Sequence, residues 1–158
     1  MMDFFMWLES TPIADAIRTS RWMYPAFETG HYIGLSLLVG GIMLIDLRVL
    51  GFARKLPLKS MIGLLPFVWV GFAINATTGS LLFIYGATQF GTNPAFWLKM
   101  TFMVIAGLNA LAFDLSVKRF SYDWVAADRP PPLVKTFATL SFALWICVVT
   151  TGRWMAYI

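Results

Sequence analysis

Charge is what this sequence has least of. Asp, Glu, Lys and Arg make up 13% of its 158 residues, where a soluble domain carries about a quarter. No charged residue at all occurs between Lys59 and Lys99. Apolar residues make up 59% of the chain, and the mean hydropathy is +0.72. This balance excludes a water-soluble globule and predicts a chain whose solvent is the lipid bilayer. There is one cysteine, Cys147, inside an apolar run. That excludes an internal disulfide and a cysteine metal cluster, and reads as a small buried apolar residue. There is also one histidine, His31. No HExxH, CxxC, P-loop or GxSxG motif is present, and with a single imidazole in the membrane no Ser–His–Asp set can be assembled. The net charge of +4 comes without a basic face carrying reading elements, so nucleic acid is not an expected partner. The opening "MMDFFMWLESTPIADAIRTSRW" puts acids first and has no basic n-region, so it does not read as a secretory signal.

What is present is long apolar runs. A helical span needs about 20 largely apolar residues. Four segments qualify, at about 24–47, 60–87, 94–117 and 133–157. The runs are continuous, not alternating, which excludes the short strands of a barrel. The expected fold is an all-α, four-helix membrane bundle in a single domain, with residues 1–23 as a short N-terminal segment. In that segment Phe4, Phe5, Trp7 and Leu8 either lie in the membrane interface or pack on the end of the bundle. Asn93-Pro94 supplies an N-cap and a first-turn proline for the third helix. Pro66, inside the second segment, is expected to kink it or free the carbonyl four residues earlier.

Basic residues set the expected orientation. Arg48, Arg54, Lys55 and Lys59 follow the first span, and Lys118, Arg119, Arg129 and Lys135 follow the third. The loop "TQFGTN" after the second has none. By the positive-inside rule the first and third loops face the cytoplasm and both termini lie outside it. Trp22, Tyr24, Trp97, Trp154 and Tyr157 then form an outer aromatic belt, while Trp69 and Trp145 lie deeper and are expected to fill the core.

Glu28, His31, Lys99 and Arg153 each lie one or two turns in from the outer side, within roughly 10 Å of depth at about 1.5 Å per residue. Charged groups in a span cost about 2.5–3.5 kcal/mol at the bilayer centre and usually face a partner or a cavity. These four therefore read either as a closed structural network or as the wall of a shared site. Gly34 and Gly41 share His31's helix face, and Gly30 with Gly34 forms a GxxxG pair. Such glycines serve close helix contact, or make room for a flat ligand beside an imidazole. The second option suits a haem b with His31 on the iron, Arg153 and Lys99 near its propionates, and Met103 among the methionines (with Met100 and Met155) as a sixth ligand. A second copy of His31 across a dimer, or a five-coordinate iron, are the alternatives, and a quinone head group also fits. Asn75 and Asn109 are expected to serve the polar network by bonding across helices, Asn109 to Asn75 or to a carbonyl loosened by Pro66. Toward the cytoplasmic side, Asp46 and Asp114 are expected to staple to basic residues, Asp114 with Lys118 at i, i+4. A proton path through either acid is the alternative there.

The stretches "ETGHYIGLSLLVGGIMLIDLRVLG", "NPAFWLKM", "LNALAFD" and the ending "GRWMAYI" resemble a bacterial inner-membrane family of four-helix proteins of unknown function. The resemblance covers nearly the whole chain and implies a multi-pass inner-membrane location, without an activity. The layout is more loosely similar to the haem-bearing anchor subunits of respiratory enzymes. The first functional expectation is a membrane electron-transfer protein or subunit that binds haem b through His31 and exchanges electrons with quinone or a periplasmic partner. The others are a cofactor-free accessory subunit and a small-solute or proton pathway. A chain this small is expected to form a homo-oligomer or join a larger complex.

Overall fold

The computed structural model describes residues 1–119 and 123–158. Among them every regular element is helical: α1 (Met2–Glu9), α2 (Pro12–Thr19), α3 (Met23–Leu50), α4 (Leu58–Ile62), α5 (Leu65–Tyr85), α6 (Ala87–Gly91), α7 (Pro94–Arg119), α8 (Asp123–Ala126) and α9 (Pro132–Trp154). Four segments are long and apolar enough to cross a membrane: Met23–Leu50, Leu58–Tyr85, Pro94–Ser116 and Pro132–Trp154. They agree with the spans expected from sequence. The short N-terminal segment is a hairpin of two helices, α1 and α2.

Local chemistry sets the helix ends. Thr11 caps α2 through its hydroxyl, with Pro12 behind it. α3 stops at Gly51, whose φ of 104° is left-handed; Phe52 N–H reaches back to the Leu47 carbonyl to close the turn. Asn93 Oδ1 accepts from the amides of Ala95 (2.9 Å) and Phe96 (3.4 Å) and starts α7. The second span is interrupted, not kinked. α4 ends at Ile62, and Pro66 lies in the first turn of α5. A proline has no N–H to give the carbonyl four residues back, which here is Ile62. The helix therefore ends at that residue and restarts after Gly63 and Leu64. The same span stops at Tyr85, short of the expected 87, because Gly86 turns the chain into α6.

Between parallel lipid tails and apolar helices there is little hydrophobic drive, so close packing carries association. α3 packs along α5, α7 along α9, and the two pairs meet chiefly through α3 and α9. Glycines make the first contact. A Cβ on Gly34 would stand 2.9 Å from the Asn75 backbone nitrogen, and one on Gly71 2.7 Å from that of Leu38. Leu38, Ile42, Ile45, Ala106, Ala138 and Trp145 fill the centre, while Ile33, Leu37, Val104, Leu108, Leu115 and Ile146 face outward as a lipid-facing surface requires.

Three expectations are corrected here. Trp69 is 36% exposed and stands at the edge of the core, beside Phe72, whereas Trp145 is buried as expected. Asn109 bonds neither Asn75 nor a carbonyl near Pro66. Its Nδ2 donates to the Phe137 carbonyl of α9 (3.0 Å), tying the α7–α9 pair. Among the described residues Asp46 finds no basic partner: Arg48, on the same helix, is engaged elsewhere. Arg48 Nη2 donates to both carboxylate oxygens of Asp128 (2.5 and 2.6 Å), and its Nε to the Leu56 carbonyl (2.6 Å). The Asp114–Lys118 pair falls on a side chain outside the described residues.

With four spans, both termini and the α5–α7 connection share one end of the bundle. The basic loops share the other. Trp22, Trp97, Trp154 and Tyr157 are exposed at the termini end, as an interfacial belt would be.

Candidate ligand pocket at the termini end

At the termini end the two helix pairs part and leave a cavity of about 450 Å³. All four spans contribute. Glu28 and His31 come from α3, Asn75 and Gly79 from α5, Lys99 and Met103 from α7, and Arg153 from α9. A depth argument from sequence had put Glu28, His31, Lys99 and Arg153 at one level, and these side chains do line one cavity. They do not form the closed network that was the alternative. Glu28 and Lys99 make no hydrogen bond or ion pair among the described residues. Arg153 donates to the Tyr157 hydroxyl (2.6 Å) and lies over its ring.

His31 is the most constrained of the four. Its Nδ1 is 3.1 Å from the Thr78 hydroxyl oxygen. That hydroxyl has one proton, and the Ile74 carbonyl is 2.7 Å away. The Ile74 bond is the shorter contact of that hydroxyl, which favours Thr78 as the acceptor and the imidazole proton on Nδ1. The lone pair of the neutral ring is then on Nε2. Asn75 Nδ2 holds the backbone beneath by donating to the His31 carbonyl (3.0 Å). The ring rests on Gly79, where a Cβ would stand 3.1 Å from Cε1. A fixed Nδ1–H with a free Nε2 is the arrangement by which proteins orient a ligating histidine.

Two sequence-predicted residues are elsewhere. Gly34 is outside the cavity, its missing side chain used up by the backbone of α5. Asn109 belongs to the α7–α9 contact nearer the basic end. Met103 and Met155 line the cavity; Met100 does not. Thr78 and Gly79 were missed as site residues. Their signal was spacing: at three and four residues after Asn75 they share its face of α5.

The N-terminal hairpin fastens the corner beside the cavity. Phe5 packs edge-on to Phe83, which stacks on Phe96 with ring centroids 5.1 Å apart. Glu9 Oε1 accepts from the Thr88 amide (2.8 Å) and hydroxyl (2.6 Å). Those two bonds, with Arg18 adding its charge, hold the Glu9 carboxyl below its ordinary range. Arg18 also donates to the carbonyls of Glu9 and Tyr85. So α1 packs on the bundle end through Phe5, while Phe4 and Trp7 remain exposed.

Residues 4–158 match the family of unknown function DUF6644. The chain belongs to that family. No curated protein and no solved structure matches it. The features of this DUF6644 chain that bear on function are accordingly those of the cavity itself: one oriented imidazole, one carboxylate, two cations and two thioethers around a space of ligand size.

Proposed function

We propose that the cavity holds haem b, whose iron His31 Nε2 would bind, and that the chain is a membrane electron-transfer protein or subunit. One observation carries the reading: His31 lines the cavity with its Nδ1 held 3.1 Å from the Thr78 hydroxyl, and its Nε2 has no partner among the described residues. The remaining residues fit. Lys99 and Arg153 offer cations to propionate carboxylates, the Arg153 fork in particular. Met103 and Met155 offer soft sulfur as a second ligand. Gly79 keeps the ring's edge clear. When bound, the haem supplies one-electron chemistry. The protein's own contribution is to fix the imidazole tautomer, balance carboxylate charge and hold the site within apolar walls. Quinone or a protein partner outside the cytoplasm would exchange the electrons, in a homo-oligomer or larger complex.

We place the chain in a bacterial inner membrane on the family resemblance, and the basic residues support both termini on the periplasmic side. Reporter fusions at each terminus test this; termini found in the cytoplasm would move the cavity to the other face of the membrane and remove the periplasmic exchange. The test of the cofactor is an absorption spectrum of protein purified from native membranes, with added haemin titrated into the apo form. A Soret band that His31→Ala abolishes is expected. Colourless protein that takes up no haemin refutes the reading.

A further inference from the structure

Deeper in the bundle, toward the basic end, lies a second and much smaller cavity of about 20 Å³. Its wall includes Asp46 of α3, Asn109 of α7, and Ser141 and Trp145 of α9, among apolar residues such as Val68, Phe72 and Phe113. Asp46 is 3% exposed, Ser141 3% and Trp145 2%. Among the described residues Asp46 Oδ2, Ser141 Oγ and Trp145 Nε1 make no hydrogen bond of good geometry. Ser141 nevertheless stands beside the Asp46 carboxyl. Buried polar atoms left unsatisfied are rare, and three around one void call for a missing partner. A void above about 10–15 Å³ with two to four polar neighbours is what a single buried water needs.

The serine shows how the sequence builds this. Hydroxyls elsewhere in the spans donate back to the carbonyl four residues earlier: Thr77 to Ala73, Ser80 to Ala76, Ser116 to Ala112 and Thr151 to Cys147. For Ser141 that carbonyl is Phe137, and Asn109 Nδ2 occupies it. The hydroxyl is left for the cavity. Asp46 has no competing partner either. Arg48 is engaged by Asp128 and the Leu56 carbonyl, and among the described residues neither α5, α7 nor α9 adds another acid or base to the cavity wall.

We propose that Asp46, Ser141 and Trp145 hold one buried water and form a proton-exchange site in this half of the bundle. The Asp46 carboxyl and the water exchange a proton: the carboxyl O–H bond breaks as a water lone pair takes the hydrogen, and the reverse step restores it. Ser141 can donate to either partner and accept from the water. Trp145 Nε1 can only donate, so it anchors the water and does not pass the proton on. The opposite side of the Trp145 side chain borders the larger cavity, so the indole separates the proton site from the histidine site. The site stands whether or not the larger cavity holds haem.

Infrared spectroscopy of the full chain in nanodiscs tests this. With aspartate carbon-13 labelling, one carboxylic C=O band is expected to belong to Asp46. It vanishes in Asp46→Asn, shifts on transfer to heavy water, gains and loses intensity with pH, and moves to higher frequency in Ser141→Ala as a hydrogen bond is lost. Should Asp46→Asn fail to assemble, the labelled wild type, Ser141→Ala and Trp145→Phe carry the test. An aspartate band that none of heavy water, Ser141→Ala or Trp145→Phe moves, or the lack of any such band at every pH, overturns the proposal.

Discussion

At the basic end, the buried guanidinium of Arg48 is closed down by Asp128 and a loop carbonyl. At the termini end, half-buried Lys99 faces a cavity with no partner among the described residues, and Glu28 stands nearby without one. The same price of placing charge near lipid applies at both ends. At Arg48 protein groups meet it. At the termini end the cations, the carboxylate and the imidazole line a cavity without ion-pair partners among the described residues. Unmatched polar groups around a cavity are what a ligand site needs.

Four measurements break or sharpen that contrast. Arg48→Ala is expected to cost most, about 2–3 kcal/mol, since hydrogen bonds to charged groups are worth about 1.5–3 kcal/mol. Asp128→Asn should cost less because that side chain is 47% exposed, so its charge is partly screened, and the amide oxygen still accepts from Arg48. Reversible unfolding in micelles checks both, and a harmless Arg48→Ala would remove the basic end's claim to be the anchor. Gly71→Ala comes next. Its Cβ meets the backbone of Leu38 and Gly34, and overpacking of this kind costs about 1–3 kcal/mol. Gly40→Ala and Gly107→Ala meet nothing within 4 Å and are expected to be neutral or slightly stabilising. Equal losses at all three would show that α3 and α5 are not in close contact.

Thr78→Val keeps the shape of the side chain but removes the acceptor for His31 Nδ1. A loss of about 10–100-fold in haemin affinity is expected, as for other partners of ligating histidines, with little change in stability. Unchanged affinity would mean that the tautomer is not set there. The smallest effect is at Glu9. Its folded pKa lies below the ordinary 4.5, so the stability it contributes is full above about pH 4.5 and fades as pH falls through the folded value. For a pair at the surface this amounts to about 0.5–1 kcal/mol. Glu9→Gln should lower the melting temperature at neutral pH and flatten its fall in acid. An unaltered acid slope would place the linkage in another carboxyl.

The spans were legible because a lack of charge is easy to see and because Asn93-Pro94 marks the start of the third. Facing was harder to read. α5 and α7 are apolar on all sides, so no stripe in the pattern says which side meets lipid, and Trp69 was misplaced for that reason. The break before α5 was displaced by the local rule itself: proline acts on the carbonyl four residues back, so the interruption appears before Pro66. The cavity's polar wall was legible as common depth. What the sequence could not reveal is which partners are already taken. Gly34 is used by the backbone of α5, and the Phe137 carbonyl by Asn109, and each decides the role of a neighbour.

The Arg48–Asp128 fastening also governs how the bundle can move. Asp128 lies in the connection between α7 and α9, in a left-handed turn with φ of 55°, and it bolts that pair to α3 at one end only. The larger cavity sits at the other end of the same two pairs. Any widening of that end would swing the pairs apart like the jaws of a peg about this fixed point, with α5, bound along its glycines, travelling with α3.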